Sequence, residues 1–187
     1  RTGETVNFDG RAWTAQPATL SPAPNADGVK MAGTQTAAIL NSFRGGGSPG
    51  PAYTDARSWN GSAWTSIPST SSNHSFSNLF RNGTPSAATT IGGDNETTGI
   101  QTAVEEYNGS SWGSETALPA GRGNMAAFGT PTAGVVAGGN LGPGTPNRTA
   151  TALEYNGSSW TTTGSITEAA TVVAGGGTQT TGIIFGG

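Results

Sequence analysis

The chain has 187 residues, no cysteine, a formal net charge of −3 and only 10% charged residues, well below the usual share of about 25%. Without cysteine there is neither a disulfide framework nor a thiolate metal site. Eight basic residues spread along the chain leave no electrostatic footprint for nucleic acid, and apolar runs of about five residues fall far short of the roughly 20 that a membrane-spanning helix needs.

Thirty-one glycines, more than twice the usual share of about 7%, predict many turns between short strands and a core that is thin and distributed. Arg1 to Glu4 hold neither an initiator Met nor a signal-type apolar segment, the pattern of a processed product or a segment of a longer polypeptide. Taken in order, Thr5-Val6-Asn7-Phe8, an Asp9-Gly10 turn and Trp13 read as two strands of a hairpin. The same pattern, an aromatic, Asn or Asp, Gly, and a Trp three residues later, returns at Trp59 to Trp64, Tyr107 to Trp112 and Tyr155 to Trp160. The four marker tryptophans, Trp13, Trp64, Trp112 and Trp160, lie 51, 48 and 48 residues apart, a period that signals a repeat architecture. Asn-Gly supplies the positive φ of a tight turn.

A second marker keeps step: Gly33-Thr34, Gly83-Thr84, Gly129-Thr130 and Gly177-Thr178. Nine residues after each of these glycines the chain reaches Ser42-Phe43, Gly92-Gly93, Gly138-Gly139 or Gly186-Gly187. Four strands per repeat follow; in the clearest repeat they start near Asn124, start near Ala133, run from Thr149 to Tyr155, and carry Trp160. The repeat between Thr14 and Trp64 is the most diverged, with Pro17, Pro22 and Pro24 in its connector and a Gly45 to Pro51 stretch that reads as a loop. Residues 1 to 13 hold only the last two strands of a repeat, and residues 170 to 187 only the first two. The expected fold is therefore all-β: one domain, 1–187, in which residues 2 to 13 pair with residues 170 to 187 and remove the exposed edges.

Arg122, Val135-Val136-Ala137-Gly138-Gly139, Leu153-Glu154-Tyr155 and Trp160 together resemble the kelch repeat. The resemblance implies a β-propeller of four-stranded antiparallel blades, here four, with the N-terminal strands closing the C-terminal blade. Arg122 has no counterpart in the other repeats. The low-charge Tyr-Asn-Gly-Ser-Ser-Trp dialect is similar to kelch-like arrays in structural proteins of marine tailed phages.

No residue set predicts catalysis. Glu106 and Glu154 hold equivalent slots, but Asn7 and Ser58 fill the same slots elsewhere, so a structural role is expected. His74 is the single histidine and has no ligand-spaced partners. Asp94-Asn95-Glu96 offers hard oxygen ligands in one repeat only and reads as a solvated loop. No metal and no cofactor is expected. Three of the seven Asn-x-Ser/Thr sequons are the hairpin turn itself, so turn chemistry explains them.

Two function classes remain open: a virion structural, fibre or decoration module that contacts other virion proteins or a host-surface glycan or protein, and a secreted or cell-surface lectin-like module. Both are non-enzymatic, without membrane insertion, and compatible with a longer chain or an oligomer. Hairpin turns within a blade are short and uniform, whereas loops between its second and third strands and between blades vary. Recognition usually resides on variable loops, which makes Arg44, Tyr53, His74, Asp94, Asn95, Asn140 and Arg148 the candidate contact residues.

Overall fold

A computed structural model describes residues 4–17, 29–41, 43–44, 52–75, 77–80, 84–95, 99–142, 147–171 and 173–187. Pro22, Pro24, Ser42, Gly83, Glu96 and the Gly45 to Pro51 loop named above lie outside them. Every regular element among the described residues is a β-strand, as the composition predicts.

An N-terminal ribbon pairs β1 (Thr5–Phe8) with β2 (Trp13–Gln16). Next come β3 (Lys30–Thr34) and β4 (Ala37–Asn41), a small loop ribbon of β5 (Phe43–Arg44) and β6 (Ala52–Tyr53), then β7 (Ala56–Trp59) and β8 (Trp64–Ile67). The second unit repeats the plan with β9 (Asn78–Leu79), β10 (Ala88–Ile91), a loop ribbon of β11 (Asp94–Asn95) and β12 (Gly99–Ile100), β13 (Val104–Tyr107) and β14 (Trp112–Ser114). The third has β15 (Ala126–Thr130), β16 (Ala133–Ala137), β17 (Thr151–Tyr155) and β18 (Trp160–Ser165), and β19 (Val173–Gly177) with β20 (Gly182–Gly186) form a C-terminal ribbon. Each unit is an antiparallel four-stranded sheet in chain order, β3-β4-β7-β8, β9-β10-β13-β14 and β15-β16-β17-β18.

The core lies between successive sheets, as a thin, distributed core requires. Ala32, Ile39, Leu79, Ala88 and Tyr107 join the first sheet to the second. Phe80, Ile91, Val104, Leu118, Met125, Ala127, Val136, Leu153 and Tyr155 join the second to the third. A sheet covered on both faces needs near-continuous apolar or small residues in its inner strands, which accounts for β10 and for Val135-Val136-Ala137, all buried. Full burial of a large side chain contributes about 1.5–3 kcal/mol, and Phe80 and Tyr155 are among the largest side chains fully buried here. Phe80 reaches across to stack on Tyr155, ring centroids 6.4 Å apart, with Trp160 at 6.3 Å. Its ring lies against Gly134 on β16, where a Cβ would occupy the ring's own space.

The diglycines act as joints between sheets. Gly92 and Gly93 have φ of 59° and 108°, and Gly138 and Gly139 have 67° and 104°, values that only glycine adopts without strain. The second glycine of each pair donates its N–H to the next unit, Gly93 to the Arg122 carbonyl at 2.7 Å and Gly139 to the Ala170 carbonyl at 2.8 Å. A Cβ on the first glycine would collide with those same carbonyls.

Two expectations are corrected. The turn before each Trp is a four-residue loop, because the paired residues are Trp59 with Trp64, Tyr107 with Trp112 and Tyr155 with Trp160. Its Asn side chain replaces the ladder: Asn108 Oδ1 accepts from the N–H of Ser110 at 2.9 Å and of Ser111 at 3.0 Å, and Asn60, Asn156 and Asp9 do the same. Only the glycine has positive φ in these loops.

The second correction concerns the ends. Among the described residues β1 pairs with β2 alone and β19 with β20 alone, so the expected pairing of residues 2 to 13 with residues 170 to 187 is not formed there. Each ribbon is held by its neighbour in sequence instead. Trp64 Nε1 donates to Thr5 Oγ1 at 3.1 Å and Gln35 Nε2 to the Phe8 carbonyl at 2.9 Å, while Gln179 Nε2 donates to the Tyr155 carbonyl at 2.9 Å.

Candidate functional site

The loops between second and third strands gather the candidate positions at the corresponding end of each sheet. Arg44 pairs with Ala52 beside Tyr53 in the first loop ribbon, Asp94 and Asn95 form one strand of the second, and Asn140 bridges Arg148 in the third. For Arg44, Tyr53 and Asn95 the backbone alone is described. The connectors enter at the same level, since Asp94 and Asn140 also bridge Ser75 and Gly123. Asp94 and Asn140 are therefore partly committed to backbone pairing, whereas the Arg148 side chain is exposed. Here the loops differ in length and residues from one unit to the next.

His74 is not on that surface. It is fully buried, with Nδ1 2.7 Å from the Gly92 carbonyl and Nε2 3.0 Å from Glu105 Oε1. Both ring nitrogens face acceptors, so the ring meets both as a donor only in its doubly protonated form. Glu105 is buried too; its Oε1 also accepts the Ser72 N–H at 2.9 Å and its Oε2 the Ser71 N–H at 2.9 Å. Burial pushes the Glu105 carboxyl up, but the bonds from His74 and the two amides outweigh it and hold it below the ordinary range. Three of the carboxylate's roughly four acceptor positions are filled from within the chain, and both side chains are buried, so the pair braces this joint.

Arg122 now has its counterpart. It follows Trp112 by ten residues as His74 follows Trp64, and its Nη1 donates to the Gly138 carbonyl at 3.3 Å and the Thr151 carbonyl at 2.7 Å. In the second and third units one buried nitrogen-bearing side chain thus reaches the first carbonyl of its own diglycine. Glu105 was missed by sequence reasoning, yet a signal existed: the ladders align it with Leu153 and Arg57, so a carboxylate occupies a slot that is apolar in the cleanest repeat. Among the described residues no group of three or more His, Asp and Glu side chains could hold a metal ion, and no helix is long and apolar enough to cross a membrane.

A cleft of about 750 Å³ opens between the third sheet and the C-terminal ribbon, with Phe128, Ile166 and Ile184 as its apolar part and Arg148, Glu154 and Glu168 around it. Its size is that of a ligand pocket, but its position has another origin. At the joint between the second and third sheets, the corresponding residues Phe80, Leu118 and Val136 are covered by Leu153 and Tyr155 of β17. Among the described residues the C-terminal ribbon has no third strand to do this.

These features define an all-β repeat protein built from stacked antiparallel sheets. No family model and no curated protein matches the chain. Solved structures do: that of YjhT is similar with a TM-score of 0.74 at 15% identity, over 94% of this chain and 64% of that one. At that identity the likeness shows the fold alone, and the chain spans 64% of the other chain's length.

Proposed function

We propose that this chain is a non-enzymatic, kelch-like β-propeller module of a phage virion, a structural, fibre or decoration element that contacts other virion proteins or a host-surface glycan or protein. Its three sheets are blades, and its two terminal ribbons carry the strands of a fourth. One observation supports this reading above the rest: the repeated side chains are used on the protein's own backbone. Asn108 and Asn156 hold their loops, Trp112 and Trp160 donate to the Pro68 and Thr116 carbonyls of the preceding connector, and His74, Glu105 and Arg122 brace the joints. What remains free to recognise a partner is the variable loop end, with Arg148 its clearest exposed cation.

Mass spectrometry of purified tailed-phage particles encoding the chain, run beside a glycan array, tests the reading. Peptides of this chain in the particles support it. Their absence together with saturable glycan binding replaces it by the lectin-like alternative. Turnover in a hydrolase screen, or a stoichiometric transition metal, overturns the non-enzymatic part.

A further inference from the structure

The joint between the second and third sheets carries a polar set at places where the joint before it is apolar. On the first sheet Ile39 and Ile67 pack in one cluster with Tyr107 and Trp112 of the second, and Ser58 lies opposite Ile39. The ladders put Thr89, Glu106 and Glu115 in those three places on the second sheet. Thr89 pairs with Glu106 as Ile39 pairs with Ser58, and Glu115 follows Trp112 by three residues as Ile67 follows Trp64. The Glu115 N–H donates to the Val104 carbonyl at 2.9 Å, which sets it opposite Val104. Residues paired across a ladder, and residues two apart along a strand, share a face. All three polar residues therefore stand on the face of Ile91 and Val104, which share a core with Tyr155 of the third sheet.

The fold leaves this set unused. Glu106 is partly buried and has no hydrogen-bond or ion-pair partner among the described residues. Thr89 is 0% exposed, and its Oγ1 has no hydrogen-bond partner among them either. Tyr155 OH reaches Glu115 Oε2 at 3.5 Å, whereas its counterpart Tyr107 OH turns back to the Gly109 carbonyl of its own loop at 3.0 Å. Burial and the nearby Glu115 push the Glu106 carboxyl up, and burial together with both carboxylates pushes the Tyr155 phenol up. The two acids and the phenol thus lie within one field. Two like charges near one another repel, and a cation between them reverses the sign of that interaction.

We propose that Glu106, Glu115 and Thr89 form a calcium site at this joint. The donors are all oxygens, the set that suits a hard cation. Two flexible Glu side chains completed by water match the irregular shell of about six to eight oxygens around Ca²⁺ better than the strict octahedron of Mg²⁺. The two carboxylates supply charge and Thr89 Oγ1 a neutral oxygen, while Tyr155 OH orients the Glu115 carboxylate from the facing sheet. Glu115 is exposed, so the ion enters from solvent, and with only two carboxylates the affinity falls in the weak range of extracellular modules, Kd about 10⁻⁴–10⁻³ M.

Calorimetric titration of the EDTA-treated chain with CaCl₂ at pH 7 is expected to show one saturable site, with MgCl₂ weaker by about tenfold or more. Glu106→Gln and Glu115→Gln should each weaken Ca²⁺ binding by about tenfold or more, whereas Glu154→Gln, at the slot of Glu106 on the third sheet, should leave it unchanged. Without Ca²⁺ the first two variants should melt no lower than wild type, because each removes one of two repelling charges, so lost binding is separated from lost fold. Thr89→Val should raise the melting temperature of the Ca²⁺-free protein, since an unpartnered hydroxyl leaves the interior, and yet lower its Ca²⁺ affinity. No saturable binding up to about 10 mM Ca²⁺, well beyond the expected range, overturns the site. Binding that survives both Glu106→Gln and Glu115→Gln overturns it as well, and equal affinity for Mg²⁺ overturns the choice of ion.

Discussion

Replacing Glu105 by Gln removes a buried charge while keeping the shape of the side chain. Glu105 Oε1 accepts from His74 Nε2 at 3.0 Å and Ser72 N at 2.9 Å, and Oε2 accepts from Ser71 N at 2.9 Å. Gln retains one acceptor and turns an NH₂ group toward a donor, so at least one charge-assisted bond of about 1.5–3 kcal/mol is lost and a donor faces a donor. The expected loss of stability at pH 7 is about 2–4 kcal/mol, rising to about 3–5 kcal/mol for Glu105→Ala, which leaves His74 buried without its partner. The pH dependence follows from a folded carboxyl held below its ordinary value of about 4.5. The unfolded chain binds the proton first as pH falls, so the contribution is complete above about pH 4.5 and is lost as pH drops through the lower folded value. Urea titrations followed by the fluorescence of the five tryptophans at pH 7, 5, 4 and 3 should show wild type and Glu105→Gln converging toward acid. Equal stability within about 0.5 kcal/mol at pH 7, with parallel acid limbs, refutes the account of the pair.

Gly134→Ala places a methyl in the space of the Phe80 ring; overpacking of that kind costs about 1–3 kcal/mol, and near-UV circular dichroism should change as the ring leaves Tyr155. Asn156→Ala removes the acceptor for the Ser158 and Ser159 amides in an exposed loop and is expected to cost about 0.5–1.5 kcal/mol. Asn156→Asp should stay near wild type in thermal melts, because Asp9 already performs this task with bonds of 2.8 Å to the Arg11 and Ala12 amides.

The repeat, its period and the strand content were legible because turn and strand chemistry are local. Asn108 caps its own loop, Gly129-Thr130 ends its own strand, and the marker tryptophans keep their spacing whatever the sheets do in space. Even the thin core could be expected, since few large apolar residues must serve every joint. The Asn-Gly pair marked the place of each turn but not its length. Only the ladder shows that the residues on either side of the loop are paired across four.

The site was less legible, and for one physical reason: burial is a property of the neighbouring sheet. His74 looked like a loop residue until Gly92 and Glu105, 18 and 31 positions away, closed around it. Arg122 looked unique until its carbonyl contacts showed that it does the work of His74. The sequence by itself determined that half a repeat stands at each end, because strand count follows from local pattern. Tertiary structure decided that, among the described residues, the two ribbons form separate sheets, since pairing between elements so far apart in sequence depends on the packing of every sheet between them.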